Sequence, residues 1–238
     1  KAIRRQRQMC IRDSTGEESY VGLRRGILQG QYNSWSQGSS CMKVAASDNI
    51  VVFRASEVAF LRAEGALRGW NMGGSPKDLY EAGIRLSFEE NNISSGVESY
   101  LANTGKVEGY KDPLKGQSGQ TYDYSGSINT AVTVAWAGGD FEKSLEQIIT
   151  QKWIANFPNG MESWSEYRRT GYPKLMPMAA NASSGIVDDT EGARRMPYPT
   201  DEYRENKESV EAAVLTLTQE SKTKKGDSMA THVWWDCK

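Results

Sequence analysis

Between Val51 and Trp70 apolar side chains return at three- and four-residue steps: Val51, Ala55, Ala59, Ala63, Ala66 and Trp70, with Val58, Leu61 and Leu67 widening the stripe. That period lines one side of an α-helix. Its start falls near Ser56-Glu57 or a turn earlier, and Gly69-Trp70-Asn71-Met72-Gly73-Gly74 ends it. A second helix begins at once. Ser75 suits the N-cap, Pro76 the first helical position, and Asp78 puts a negative charge where the helix dipole favours one. Leu79, Ala82, Gly83 and Leu86 then form one face, with Tyr80, Ile84 and Phe88 beside it. Two helices joined by a short glycine-rich turn, with small residues where they approach, make an αα-hairpin.

The small-residue pattern is similar to a tetratricopeptide-type pair, of which the chain shows one unit. Residues 91–139 are mostly irregular and punctuated by glycine. A short helix is expected at Val97–Ala102, and partial alternation from Ile128 to Trp136 reads as one extended strand. A loop this long inside a compact domain is usually functional or disordered. Asp140 then caps the strongest helix, whose face carries Phe141, Leu145, Ile148, Ile149, Trp153 and Phe157. Pro158-Asn159-Gly160 stops it, and a short amphipathic helix follows from Glu162 to Arg169. Beyond lies a stretch marked by Pro173, Pro177, Pro197 and Pro199, expected to run extended across the helices. A last helix is read from about Asn206 through Leu217, with Val210, Ala213, Val214 and Leu217 inward. The apolar tail Val233-Trp234-Trp235 should dock on the body. The fold class is therefore mainly α, with helical hairpins and a long loop-rich C-terminal region.

Charge removes whole classes of partner. With 29 basic and 30 acidic residues spread along the chain, nothing offers a footprint for nucleic acid or a basic block for a membrane surface. No apolar run approaches a membrane span. The first residues are basic and aperiodic, and Met9-Cys10-Ile11-Arg12-Asp13-Ser14 resembles the translation of a transposon-end adapter used in DNA library preparation. Residues 1–15 are accordingly read as an assembly artefact or a disordered tail, and residues 16–238 as the folded part. Cys10, Cys41 and Cys237 have no metal-ligand spacing; a Cys41–Cys237 bridge is possible, though free thiols fit better.

No catalytic motif stands out. The single histidine, His232, sits in the apolar tail, where a packed or hydrogen-bonded role is expected rather than that of a base or ligand. No metal site and no cofactor are expected. Paired carboxylates alone suffice for glycoside hydrolysis, but Asp188-Asp189 and Asp201-Glu202 read better as turn and helix-entry charges. The segment from Trp164 to Pro173 reads as a packing knot, with arginines stacked on rings and paired with Glu162 or Glu166. Trp35, Tyr110, Tyr122, Tyr124 and Trp136 are different. They lie in aperiodic segments rich in Gly, Ser and Asn, expected to be exposed, and aromatic rings match the flat C–H faces of sugars. These five are the candidate ligand-binding residues, with packing beneath a long loop as the competing role.

Longer stretches carry a family likeness. The helix Ser56-Glu57-Val58-Ala59-Phe60-Leu61-Arg62-Ala63-Glu64-Gly65-Ala66-Leu67-Arg68-Gly69-Trp70 resembles a signature of the SusD/RagB family. So do Ile148-Ile149-Thr150-Gln151-Lys152-Trp153-Ile154-Ala155, Pro158-Asn159-Gly160, and Glu166-Tyr167-Arg168-Arg169-Thr170-Gly171-Tyr172-Pro173. Arg194-Arg195-Met196-Pro197-Tyr198-Pro199, Glu202-Tyr203, Asn206 and Trp234-Trp235-Asp236 continue it to the end. The likeness implies a SusD-like fold in which tetratricopeptide-type hairpins cradle a loop-rich region. It also implies a non-enzymatic, lipid-anchored protein on the outward face of the outer membrane, which presents oligosaccharides to a SusC-type TonB-dependent transporter.

Residues 16–238 then correspond to the C-terminal part of a single SusD-like domain. Family members are longer, and their N-terminal half carries the secretion signal, the lipidated cysteine and most of the helical repeats. Membrane attachment would run through that N-terminal anchor, which this sequence lacks. Neither Cys10 nor Cys41 has a lipidation context, and Cys237 departs from the family's usual charged finish. The family's ligand residues vary between members, so none is carried over by position. Two other classes stay open on the residues alone: a helical glycoside hydrolase, and a helical-repeat scaffold whose ligand is a protein.

Overall fold

The computed structural model describes residues 24–26, 51–93, 95–106, 109–110, 122–125 and 132–236. In chain order the helices are α1 (Ala55–Leu67), α2 (Pro76–Glu90), α3 (Val97–Leu101), α4 (Phe141–Ala155), α5 (Gly160–Thr170), α6 (Thr200–Glu205) and α7 (Lys207–Glu220). Among the described residues no strand forms, and the β-pairing consists of two isolated bridges, Tyr110 with Tyr124 and Asp188 with Gly192. The fold is helical, as the periodicity requires.

Three helix starts are those that capping residues dictate. Ser75 accepts a hydrogen bond from the Asp78 N–H at 3.1 Å, and Pro76 occupies the first turn of α2. Asp140 accepts from the Lys143 N–H at 3.0 Å to open α4. Asn159 accepts from the Glu162 N–H at 3.3 Å to open α5, so that helix begins two residues before the apolar pattern does. Each cap satisfies a donor that the helix cannot pair internally.

α1 packs along α2 and against α4, enclosing Phe60, Ala63, Leu79, Tyr80, Ile84, Phe88, Leu145, Ile148 and Ile149. Tyr100 of α3 closes one end of this core and hydrogen-bonds Gln151 at 2.9 Å. The Phe60 ring meets Tyr80 edge-on and lies where a Cβ on Gly83 would stand 2.8 Å away. Gly83 is therefore what lets α1 and α2 come this close.

The buried side of α1 keeps Ala59 and Ala63 from the middle of the apolar stripe but extends to one side of it. Ser56, Glu57, Phe60 and Glu64 are buried, whereas Val58 and Leu61 keep 39% and 43% of their surface. The reason is ionic. Lys152 of α4, fully buried, lies 3.5 Å from Glu57, 3.2 Å from Glu162 and 2.5 Å from Glu166. Glu64 takes a two-pronged bond from Arg169 at 2.7 and 2.6 Å and a further one from Arg68. Hydrophobic periodicity registers none of these pairs, so it finds Ala59 and Ala63 but misses the glutamates beside them and widens the stripe to the wrong side.

Residues 132–136 do not form the expected strand. Their backbone is taken up by buried side chains: Gln147 donates to the carbonyls of Thr133 and Ala135 at 2.8 Å each, and Tyr80 donates to Val134 at 2.7 Å. The remainder of that stretch, 128–131, lies outside the described residues, as do Cys10, Cys41 and Cys237. α7 turns Val210 inward as expected, with Ala213, Val214 and Leu217 half-buried behind it. The tail docks through Thr231, His232 and Asp236, all buried, while Trp234 stays 89% exposed.

Two outcomes follow from this packing. Gly83→Ala should lower unfolding free energy by about 1–3 kcal/mol in urea titrations, because the methyl meets the Phe60 ring. Glu64 gives a pH signature. Burial alone would raise its pKa, but hydrogen bonds and charge from Arg169 and Arg68 outweigh that and hold it below the ordinary 4.5. Its contribution is present above about pH 4.5 and is lost as pH falls through the lower folded value. Glu64→Gln should flatten the stability-versus-pH curve in that acidic window, read by thermal melts.

Candidate functional site: an aromatic cleft at the α4–α5 turn

α4 runs out at Asn156, and the chain turns through Phe157-Pro158-Asn159 into α5, with the Phe157–Pro158 peptide bond cis. That turn places Trp153, Phe157 and Pro158 on one side of a half-open cleft of about 350 Å³. Gly160, Ser163, Trp164 and Tyr167 of α5 line it further, and Arg25, Leu175 and the turn Glu191–Ala193 complete it. Most of the wall is apolar and ring-shaped, with few polar groups, as small-molecule sites commonly are.

The opposite rim is fixed by backbone and by the tail. Asp188 accepts from the N–H groups of Thr190 and Glu191 at 2.8 Å each, which holds its carboxyl below the usual aspartate range. Gly192 follows with φ of 77°, and a Cβ there would stand 2.9 Å from the Arg25 guanidinium. The Trp164 indole N–H donates to the Ala193 carbonyl at 2.7 Å, tying the rim to α5. Arg25 donates to the Met176 carbonyl at 2.9 Å and to the Thr190 carbonyl, and its own pKa is lowered by burial against the opposing pull of Tyr167. Burial likewise raises Tyr167, with Arg25 and Arg194 pulling it back.

Behind the rim sits His232. It is buried, with Nε2 2.7 Å from a Glu191 carboxylate oxygen and Nδ1 3.2 Å from the Asp236 carbonyl. Asp236 in turn pairs with the buried Arg194 through both carboxylate oxygens. The Arg168 guanidinium lies 3.6 Å from the Trp164 ring centre and 4.7 Å from that of Trp235, and donates to the Arg194 carbonyl at 2.9 Å. The segment 164–173 is the packing knot its composition implies, with arginines on rings, and two of its aromatics also face the cleft.

The five residues chosen from sequence fall elsewhere. Trp35 lies outside the described residues. Tyr110 and Tyr124 are bridge partners, with the Tyr124 N–H donating to the Tyr110 carbonyl at 2.8 Å. Arg24 gathers this group: it donates to the carbonyls of Tyr122 and Asp123 at 3.1 and 3.2 Å, and its guanidinium sits 5.0 Å from the centre of the Tyr124 ring. Tyr110 and Tyr122 are buried rather than exposed, and Tyr124 is half-buried. Trp136 packs on the core against Tyr80, 5.1 Å between ring centres. Exposure fails here because backbone hydrogen bonds, which composition does not encode, pull these irregular segments inward. The cleft residues were legible only as helix faces and a packing knot; the one signal for a site was the Pro158-Asn159-Gly160 break between two aromatic-bearing helices.

Among the described residues no group of three or more His, Cys, Asp or Glu side chains is placed to hold a metal ion, and no helix is long and apolar enough to cross a membrane. What the cleft offers is stacking surface with a few hydrogen-bonding groups at its edge.

Comparison with known proteins gives the class. The family described as "Susd and RagB outer membrane lipoprotein" matches residues 4–236, and the chain belongs to this SusD-like family. Among solved structures it is similar to a SusD homologue from Bacteroides ovatus at 89% identity and TM-score 0.85, covering 94% of this chain and 45% of that one. A SusD homologue from Bacteroides thetaiotaomicron matches at 46% identity and TM-score 0.81, covering 95% and 47%. A chitin-binding SusD homologue from Flavobacterium johnsoniae matches at 44% identity and TM-score 0.66, covering 79% and 36%. The chain thus spans less than half the length of these relatives. No curated protein sequence matches it. The tetratricopeptide-like reading of the α1–α2 hairpin accords with this fold.

The rim carries its own expected outcome. Gly192→Ala should destabilise the protein by about 1–3 kcal/mol, since an L side chain at that φ is strained and its methyl meets Arg25. Chemical denaturation checks the loss, and Arg25→Ala combined with it should recover only the steric part.

Proposed function

We propose that this chain is part of a non-catalytic glycan-capture lipoprotein. It would act on the outward face of the outer membrane and hand oligosaccharides to a SusC-type TonB-dependent transporter. The observation that carries the proposal is the cleft between α4 and α5, walled by Trp153, Phe157, Trp164 and Tyr167, in a chain of the SusD-like family. Its volume of about 350 Å³ suits one or two sugar rings. Aromatic faces take the C–H surface of a pyranose, and Glu191 and Asn159 are available for hydroxyls. The chitin-binding relative supports the ligand class, though not the particular glycan.

The loop aromatics extend this reading. Tyr124, with Arg24 on its face, is proposed as a second stretch of platform, which Tyr110 and Tyr122 support through the bridge and the Arg24 hydrogen bonds described above; Trp35 is proposed as a ligand residue on its sequence context alone. Membrane attachment is proposed to run through a lipid anchor on the longer protein. Nothing in the cleft calls for a cofactor, and the role proposed for its single carboxylate is to bind hydroxyls rather than to catalyse.

Calorimetric titration with tetrasaccharides derived from starch, cellulose and chitin should give binding for at least one of them. Trp153→Ala should weaken that binding about tenfold or more, the loss of one stacked ring. An absence of heat across such a panel, with the protein folded by circular dichroism, would remove the proposal. The transporter half of it is checked separately, by co-purification with a SusC-type protein expressed from the same source.

A further inference from the structure

We infer that the cleft selects uncharged sugar rings over acidic ones, and that Glu191 sets this preference. The inference rests on the glycan-capture reading and narrows it to a substrate class. Among the described residues lining the cleft Arg25 is the one cation and Glu191 the one anion. An arginine receives a carboxylate or sulfate through a free fork of N–H donors. Arg25 has no such fork to give, because Nε donates to the Met176 carbonyl and Nη2 to the Thr190 carbonyl. Nη1 is hemmed in by Gly192, where even a Cβ would come within 2.9 Å.

Neither neighbouring arginine lines the cleft. The Arg168 guanidinium lies against the Trp164 and Trp235 rings with its Nε buried, and Arg194 is locked on Asp236. The first turn of α5 carries partial positive charge, but Glu162 stands within it and Asn159 already caps the Glu162 N–H. Among the described residues no cationic side chain therefore presents a free fork of donors to an acidic sugar in the cleft.

Glu191 acts in the opposite sense. Its side chain keeps 39% of its surface, and one carboxylate oxygen is held 2.7 Å from His232 Nε2. The other, Oε1, has no hydrogen bond among the described residues. An ionised carboxylate accepts but does not donate, so it welcomes sugar hydroxyls and repels a uronate or sulfate. The apolar walls sharpen the discrimination, since they leave an anion without compensation for the water it sheds.

The test uses the full chain and matched pairs that differ in charge at C6: cellotetraose with its C6-oxidised tetraglucuronate, and β-1,4-galactotetraose with its galacturonate counterpart. In whichever pair binds, the neutral member should bind at least about tenfold tighter, and the gap should shrink as sodium chloride rises from about 50 to about 500 mM. Glu191→Gln, which keeps shape and a contact to His232, should close most of the gap by improving the acidic member. Gly160→Trp, at a helix-start position where an added Cβ meets nothing within 4 Å, should fill the cleft and abolish binding of both. Equal affinity for both members, a gap unmoved by Glu191→Gln, or binding that survives Gly160→Trp would each overturn the inference while leaving glycan capture standing. Failure of all four sugars and of the wider tetrasaccharide panel would overturn both.

Discussion

The structure depends on one buried ammonium. Lys152 projects from α4 into a space bounded by the buried Glu57 of α1 and Glu166 of α5, with the more exposed Glu162 of α5 at its edge. A buried charge of this kind is tolerated only with partners in place, so three helices must arrive together for any of them to be stable there. Desolvation pulls the lysine toward neutrality, but the carboxylates of Glu166 and Glu162 outweigh it and hold its pKa above the ordinary value. Glu57 sits on the losing side of the same balance: burial raises it, and Lys152 only partly offsets that. Such a cluster contributes less to stability than to register, because each wrong alignment of α5 on α4 would strand a charge.

Register at this point decides the geometry of the cleft. Trp153 follows Lys152 directly, and Trp164 and Tyr167 lie on either side of Glu166 along α5. Fixing the lysine against Glu162 and Glu166 therefore fixes the angle at which the rings of the two helices face one another. Arg169 repeats the device one turn later by joining Glu166 to Glu64, so α5 is held to α1 as well. The aromatic walls inherit their rigidity from ion pairs that never touch the cleft.

The sequence carried much of the fold. Ser75 with Pro76, and Asp140, announced helix starts at the residues where they occur, because capping is a local interaction between neighbours. The inward faces were harder. In α4 the apolar residues Leu145, Ile148 and Ile149 are buried as their spacing requires, whereas in α1 Val58 and Leu61 yield the interior to Glu57 and Glu64. Partners about a hundred positions away make those glutamates internal, and no window along the chain contains both ends of the pair. The site shows the same divide. Aromatic content was visible, but which rings become walls and which become ballast is decided by a turn at Pro158, by Arg24 and Arg25 reaching across the fold, and by Gln147 drawing residues 133–135 inward. Family likeness filled part of that gap for the helices and the knot at 164–173, but assigned no ligand residue.

The latch behind the rim has a consequence for how the protein comes into being. Arg194 waits for Asp236, and Glu191 for His232, partners that lie 42 and 41 positions further on. A chain emerging in order from its N-terminal end can assemble α1, α2, α4 and α5 and settle Lys152 among its glutamates. Its rim at 191–194 stays without its anchors until the final stretch arrives. The rim of the cleft is thus the last part of this body to acquire its anchors, and a product ending before His232 would keep the α1, α2, α4 and α5 packing while its rim stayed untied.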